Sequence, residues 1–161
     1  MNNARLVADV GGTNSRIGLF DETEQTIDNI VEYRNADFDC LEDVITRWLE
    51  GLEAPAPTRG CIAAAAPPSG DQVNMINLGW SFSCRELAAK FGLDQFLWLN
   101  DFQANAHALP YLGSDDLEPV CTGNPGESRT LATIGPGTGL GGATLQWIEG
   151  TYVASDSEPG H

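Results

Sequence analysis

The sequence predicts an α/β domain with a mixed sheet, followed by the first strands of a second, similar domain. Three observations carry this. The chain opens with short runs of alternating polar and apolar residues joined by tight turns, the pattern of an antiparallel meander. Two later runs, at 59–66 and 96–99, are small or apolar without alternation, as central strands are, and a helical pattern precedes each. Strand, glycine-rich turn and strand then recur near both ends of the chain, at 6–20 and 130–147, which suggests two copies of one architecture.

Taken in order, Leu6 to Val10 reads as a strand with Asp9 near its end. Gly11-Gly12-Thr13-Asn14 is a tight turn into an antiparallel partner, Ser15 to Phe20, and Gln25 to Arg34 is a third, more exposed strand. Leu41, Val44, Ile45, Trp48 and Leu49 follow the spacing of a helix face, with Asp37 or Asp39 expected as the cap. Glu53 to Thr58 is a proline-rich loop, and Arg59 to Ala66 is the central strand. Val73 to Ile76 reads as a short strand leading into a loop, Asn77-Leu78-Gly79-Trp80. Cys84 to Phe91 is a helix closed by Gly92. Phe96 to Leu99 is a buried strand, and Gln103 to Leu109 the helix after it. Pro119-Val120-Cys121 reads as a strand, as do 130–135, 140–147 and 151–154. Helices are expected on both faces of the sheet.

Composition narrows the function. The chain has 161 residues, 42% of them hydrophobic, enough for a real core and too many for disorder. The formal net charge is −15 and Lys90 is the only lysine, so the basic footprint of a nucleic-acid binder is missing and anionic membrane would be repelled. No apolar segment approaches the ~20 residues of a membrane span, and the first residues show no signal peptide, so a cytoplasmic protein is expected. Cys40, Cys61, Cys84 and Cys121 have no metal-type spacing and read as free buried thiols in a reducing compartment. The chain stops at Gly160-His161, soon after an apparent strand, which reads as a fragment of a longer protein.

The chemistry concentrates at three places. Asn100 and Asp101 sit where a strand ends and a helix begins. A carboxylate there caps a helix, or faces the crevice beyond the strand ends where α/β sheets bind ligands. Gly11 and Gly12 make either a plain hairpin or a turn whose backbone amides approach an anion, with Thr13 and Asn14 as neutral donors. Asp9 beside such a turn would repel a phosphate unless a cation bridged them, which argues for Mg²⁺ near Asp9, held through water. Gly137, Thr138 and Gly139, in a second glycine turn, offer the same chemistry. Neither turn is a Walker loop, because GxxxxGK[ST] is absent, and neither is a dinucleotide fingerprint, because both lead into strands. His107, Trp48, Trp98 and Trp147 read as structural, and Trp80 as either core or stacking platform.

Leu6 to Arg16, Leu99-Asn100-Asp101-Phe102, Gly135 to Gly142 and Glu158-Pro159-Gly160-His161 together resemble the bacterial glucokinase family, ATP-dependent hexose kinases of the actin-like ATPase (ribonuclease H-like) superfamily. The resemblance runs along the whole chain, in order. It implies that Asp101 is the general base for the sugar 6-hydroxyl. Asn100, Glu158 and His161 would hold the other hydroxyls, with Asn77 in a sugar-contacting loop. Gly11, Gly12, Thr13 and Asn14 would form one phosphate turn, and Gly137, Thr138 and Gly139 the other. It further implies glucose and ATP as substrates, Mg²⁺ as the metal, and a homodimer at full length. The expected organisation is a small N-terminal domain over 1–112, a connecting segment over 113–129 and the start of a larger domain over 130–161. The chain alone is then expected to have little or no kinase activity. The related repressor/kinase group shares Asp-x-Gly-Gly-Thr and Glu-x-Gly-His but reads Asn-Asp-Ala-Asn where this chain has Asn100-Asp101-Phe102-Gln103. A sugar or amino-sugar kinase of that group, and a non-catalytic sugar-sensing regulator, are the rival readings.

Overall fold

The computed structural model describes residues 4–67, 70–121, 130–136 and 140–157. The chain divides into two compact units, Met1–Asp101 and Phe102–His161.

The first unit opens with strands β1 (Ala4–Val10), β2 (Asn14–Asp21) and β3 (Thr26–Arg34), the meander its alternation predicts. Helix α1 (Leu41–Glu50) follows, then β4 (Arg59–Ala64), β5 (Gln72–Met75), β6 (Trp80–Ser83), α2 (Cys84–Phe91) and β7 (Gln95–Asn100). The main sheet has the order β3-β2-β1-β4-β7. β1 pairs antiparallel with β2 and parallel with β4, and β4 pairs parallel with β7. The sheet is therefore mixed, with the meander at one side and the crossover strands at the other.

Register decides what each face buries. Leu6, Ala8 and Val10 stand level with Leu19, Ile17 and Ser15 on one side, and with Gly60, Ile62 and Ala64 on the other. Those positions, with Phe96 and Trp98 of β7, meet Leu41, Val44, Ile45 and Trp48 of α1 and Leu87 of α2 in one core. Gly60 is needed here, because a side chain would come within 2.6 Å of the Phe96 ring that lies across β4. Both helices of this unit, α1 and α2, bury into one face. The other face carries Ile27, Ile30 and Leu97, each at least half exposed.

Several local expectations need correction. Helix α1 is capped by Cys40 without a side-chain bond, so neither Asp37 nor Asp39 is its cap; Glu42 and Asp43 in its first turn supply the negative charge that a helix N-terminus favours. Trp80 is 6% exposed and belongs to β6, not to a loop: the β5–β6 hairpin turns sooner than the glycine suggested and carries Trp80 and Phe82 into the core. Residues 119–121 form no strand and are exposed; among the described residues no strand pairs with them. Cys84 is buried, but Cys40 and Cys61 are half-buried and Cys121 is exposed. All four are free thiols, and burial pushes Cys40 and Cys84 up to about 11, so both stay protonated near neutrality.

Helix α2 shows how sequence becomes local structure. Ser83 accepts from the Glu86 amide, Asp71 accepts from both the Ser83 hydroxyl and the Arg85 amide, and Gly92 closes the helix at φ 65°.

The second unit contains α3 (Asp101–Ala108, its first residue belonging to the first unit), a 3-10 turn at Leu109–Tyr111, and strands β8 (Thr130–Pro136), β9 (Leu140–Ile148) and β10 (Thr151–Ser157). The strands form an antiparallel meander, the same plan as β1 to β3. Its small core is Ala106, Ala143 and Leu145, with Phe102, Tyr152 and Ala154 against them. Trp147 is on the same face of β9 as Ala143 and Leu145 but near the strand's end, where it is 42% exposed and meets Tyr152 edge to face. Among the described residues no helix is long and apolar enough to cross a membrane.

Candidate active site

The parallel strands set the site. Val10, Ala64 and Asn100 are level across β1, β4 and β7, so all three strands run out at one edge. The Gly11–Asn14 turn leaves β1 there, and Asp101, the first residue of α3, leaves β7. One strand separates them, about 10 Å at the usual inter-strand spacing. This is the edge at which open α/β sheets bind ligands. Asp101 stands inside the helix as its first residue rather than ahead of it.

The turn has an unusual polarity. The Val10 carbonyl accepts from the Ala65 amide at 3.1 Å, and the Asn14 carbonyl from the Gly11 amide at 3.0 Å. The Gly11 carbonyl accepts from Asn35 Nδ2 at 2.8 Å, and the Thr13 carbonyl from the Asn35 amide at 2.9 Å. The Gly11, Thr13 and Asn14 carbonyls are engaged by the protein, while no hydrogen bond within the described residues engages the amides of Gly12 and Thr13. Gly12 has no neighbour within 4 Å of where a Cβ would stand, and its backbone is outside the left-handed region. Neither internal packing nor conformation asks for glycine at 12. A surface that shows amides and lacks a side chain is suited to a close anion.

Charge at this edge is negative. Asp9 lies on the exposed side of β1, yet the chain around its carboxylate strips enough water to raise its pKa; Arg16 opposes the rise and the Asp101 charge adds to it. Arg16, across the strand pair from Asp9, is held by Glu32 at 2.7 Å. Glu32 also accepts from Asn14 Nδ2 at 3.0 Å. Two carboxylates that repel each other beside an amide-lined turn suit a divalent cation brought in with a polyphosphate, which needs only one or two protein carboxylates and otherwise keeps its water.

Asn100 Nδ2 donates to the Ala66 carbonyl at 3.0 Å, and Trp98 Nε1 to the Gly70 carbonyl at 3.0 Å. These two bonds fasten the segment after β4 to the end of β7, beside Asp101. Asn77 lies in the exposed turn between β5 and β6. The structure thus brings Asp9, Gly11, Gly12, Thr13, Asn14, Asn100 and Asp101 to one edge. Gly137, Thr138, Gly139, Glu158 and His161 lie outside the described residues. The flanking glycines of the second turn are described: Gly135 and Gly141 pair across β8 and β9, and the Phe102 ring packs on both. Sequence reasoning missed this seat for Phe102, because a glycine that accommodates an aromatic ring looks like a turn glycine. It also missed Asn35, which carries no motif and stands among exposed polar residues.

A family model described as Glucokinase matches residues 6–161. The chain belongs to the glucokinase family. The glucokinase of Cronobacter sakazakii is 39% identical over 161 residues, which cover all of this chain and 50% of that protein. The glucokinase of Ralstonia nicotianae is 40% identical over 162 residues, covering 98% of this chain and 47% of the relative. Among solved structures, a glucokinase from an Antarctic psychrotroph is 36% identical with a TM-score of 0.87, covering all of this chain and 52% of that one. A glucokinase from Balamuthia mandrillaris, solved in complex with glucose, shares the fold at 23% identity and a TM-score of 0.66, covering 99% of this chain and 48% of that one. The chain spans about half the length of the curated glucokinases it matches. The fold is the actin-like ATPase fold of the glucokinases and related sugar kinases, as the resemblance implied.

Proposed function

We propose that this chain carries the general base and the first phosphate turn of a kinase that transfers the γ-phosphoryl group of ATP to glucose. The supporting observation is the shared strand edge, where an amide-lined turn after β1 and a carboxylate after β7 flank one strand. In this reading Asp101 accepts the proton of the sugar 6-hydroxyl as that oxygen bonds to phosphorus and ADP leaves. Asn100, Asn77, Glu158 and His161 position the other hydroxyls, and polyols are suited to such carboxylate, amide and imidazole partners. The amides of Gly12 and Thr13 meet the phosphates, within a turn made by Gly11, Gly12, Thr13 and Asn14, and Gly137, Thr138 and Gly139 form its counterpart. Asp9 would hold Mg²⁺ through water, and the ion would supply neutralisation of phosphate charge when bound with ATP.

The same reading includes a cytoplasmic, homodimeric enzyme at full length. It divides this chain into a small domain over 1–112, a connection over 113–129 and the start of a larger domain. The four free thiols agree with a reducing compartment. Identity favours glucokinase over the repressor/kinase group: curated glucokinases reach 39% and 40%, whereas a structure described as a ROK family protein stands at 18%. A panel of hexoses and amino sugars separates the two.

Asp101→Asn tests the assignment. In the complete enzyme it is expected to lower kcat by ~10²-fold or more, the scale of general-base catalysis, while glucose affinity stays within a few-fold. Preserved turnover would place the base elsewhere.

A further inference from the structure

We infer that Asn35 is a positioning residue for nucleotide binding: with Ser15, it turns the Gly11 and Thr13 carbonyls inward and so leaves the Gly12 amide facing outward. The inference rests on the reading of that turn as a phosphate cradle.

Asn35 is 1% exposed and Ser15 is fully buried, and with Ser83 they are the buried polar residues among those described. Their bonding is directional. The Gly11 carbonyl can only accept, so Nδ2 of Asn35 must face it, at 2.8 Å. Oδ1 then faces Ser15, whose hydroxyl donates to it at 2.7 Å. The Asn35 amide takes the Thr13 carbonyl at 2.9 Å. One residue, at the start of the 3-10 turn that follows β3, therefore grips two carbonyls of a turn 24 positions away in sequence. A peptide unit whose carbonyl is fixed inward directs its N–H the opposite way, because the two are antiparallel across a planar trans bond. Fixing the Gly11 carbonyl orients the Gly12 amide, and the Gly11 amide's bond to the Asn14 carbonyl closes the turn from the other end.

A buried Asn could serve folding alone, and the two roles make different predictions. A purely structural Asn35 would, when removed, loosen β1, β2 and β3 together. A positioning Asn35 would loosen the turn while the strands stay paired, since the ladder bonds of the meander do not involve its side chain. Gly11 and Gly12 give the turn freedom to adopt other conformations once the grip is lost.

The experiment uses the 161-residue chain labelled with ¹⁵N. Backbone order parameters are measured for wild type and Asn35→Ala, and amide shifts are followed on titration with Mg-ATP. The expected result is order parameters at Gly11 to Asn14 falling below ~0.6 in Asn35→Ala, with the strands near ~0.85 in both proteins. The Mg-ATP dissociation constant read at Gly12 and Thr13 is expected to rise about tenfold. Ser15→Ala keeps both carbonyl contacts and removes only the hydroxyl that orients the amide. It is expected to show the same changes at smaller amplitude, and decides the matter if Asn35→Ala does not fold. Turn dynamics and Mg-ATP affinity that match wild type in the variants overturn the inference, as does uniform loosening of β1 to β3. If the wild-type amides ignore Mg-ATP, the phosphate-cradle reading fails; the grip of Asn35 on the turn is then decided by the order parameters alone.

Discussion

Two residues at the strand edge show how a functional site differs from a stable one. Gly12 serves no internal purpose: it has open space where a side chain would stand and an unstrained backbone. Gly12→Ala is therefore expected to leave Tm unchanged and to weaken Mg-ATP binding about tenfold, or ~1.4 kcal/mol, read by calorimetric titration. Unchanged affinity would mean that no ligand approaches this amide. Asp9 works against the fold. Its pKa is raised in the folded chain, so the folded state holds its proton more tightly than the unfolded state does. The associated stability is complete below the unfolded value near 3.8 and is lost as pH rises through the higher folded value. Asp9→Asn should then melt above wild type at pH 7, with the gap closing in acid below about pH 4, the range of an ordinary carboxyl. A lower Tm for Asp9→Asn at neutral pH would contradict this account. A carboxylate retained at a cost to stability is understandable where a cation is to be met.

At the scale of elements, what could be read in advance was local. The period-2 runs of β1 and β2, the helical spacing of Leu41, Val44, Ile45 and Trp48, and the Gly92 stop are each decided by residues a few positions apart. Strand β6 was not legible, because Trp80-Ser81-Phe82-Ser83 is too short for its alternation to outweigh the neighbouring loop signals. Nor was the bulge of β3, where Asn29 takes φ 52° and its carbonyl receives Trp48 Nε1 from α1 at 3.0 Å. The β9–β10 turn was also hidden. Glu149 and Gly150 both have positive φ, at 47° and 88°, the pattern of a type I′ hairpin, which favours Asn-Gly. Glu149→Asn is expected to raise stability by about 1 kcal/mol, the lower end of the strain carried by a non-glycine residue in that region. Thermal or denaturant unfolding would show it. No gain would mean that Glu149 has compensating contacts.

At the scale of the molecule, composition was informative about charge and silent about assembly. The −15 net charge is spread over a chain with eight Lys and Arg against 23 Asp and Glu, and such an excess repels itself in the compact state. Raising ionic strength from 10 mM to 150 mM shortens the screening length from about 30 Å to about 8 Å, so Tm is expected to climb over that range. A falling Tm would show that ion pairs such as Arg5–Glu22, Arg16–Glu32 and Arg47–Glu50 outweigh the repulsion. The candidate site was legible in part for a similar reason. Asp9, the glycine turn and Asp101 each stand at a strand end, and strand ends can be located from pattern. That they share one edge depends on β1, β4 and β7 being parallel neighbours, a relation that no short stretch of sequence encodes.

The outermost strand, β3, has a consequence beyond its own pairing. It is exposed along nearly its whole length, and the chain passes directly from its last residue, Arg34, into Asn35. The border of the sheet is thereby joined to the residue that holds the Gly11–Asn14 turn. An antibody fragment or a neighbouring chain that stiffened this border would act on the Gly11–Asn14 turn from outside, through Asn35 alone.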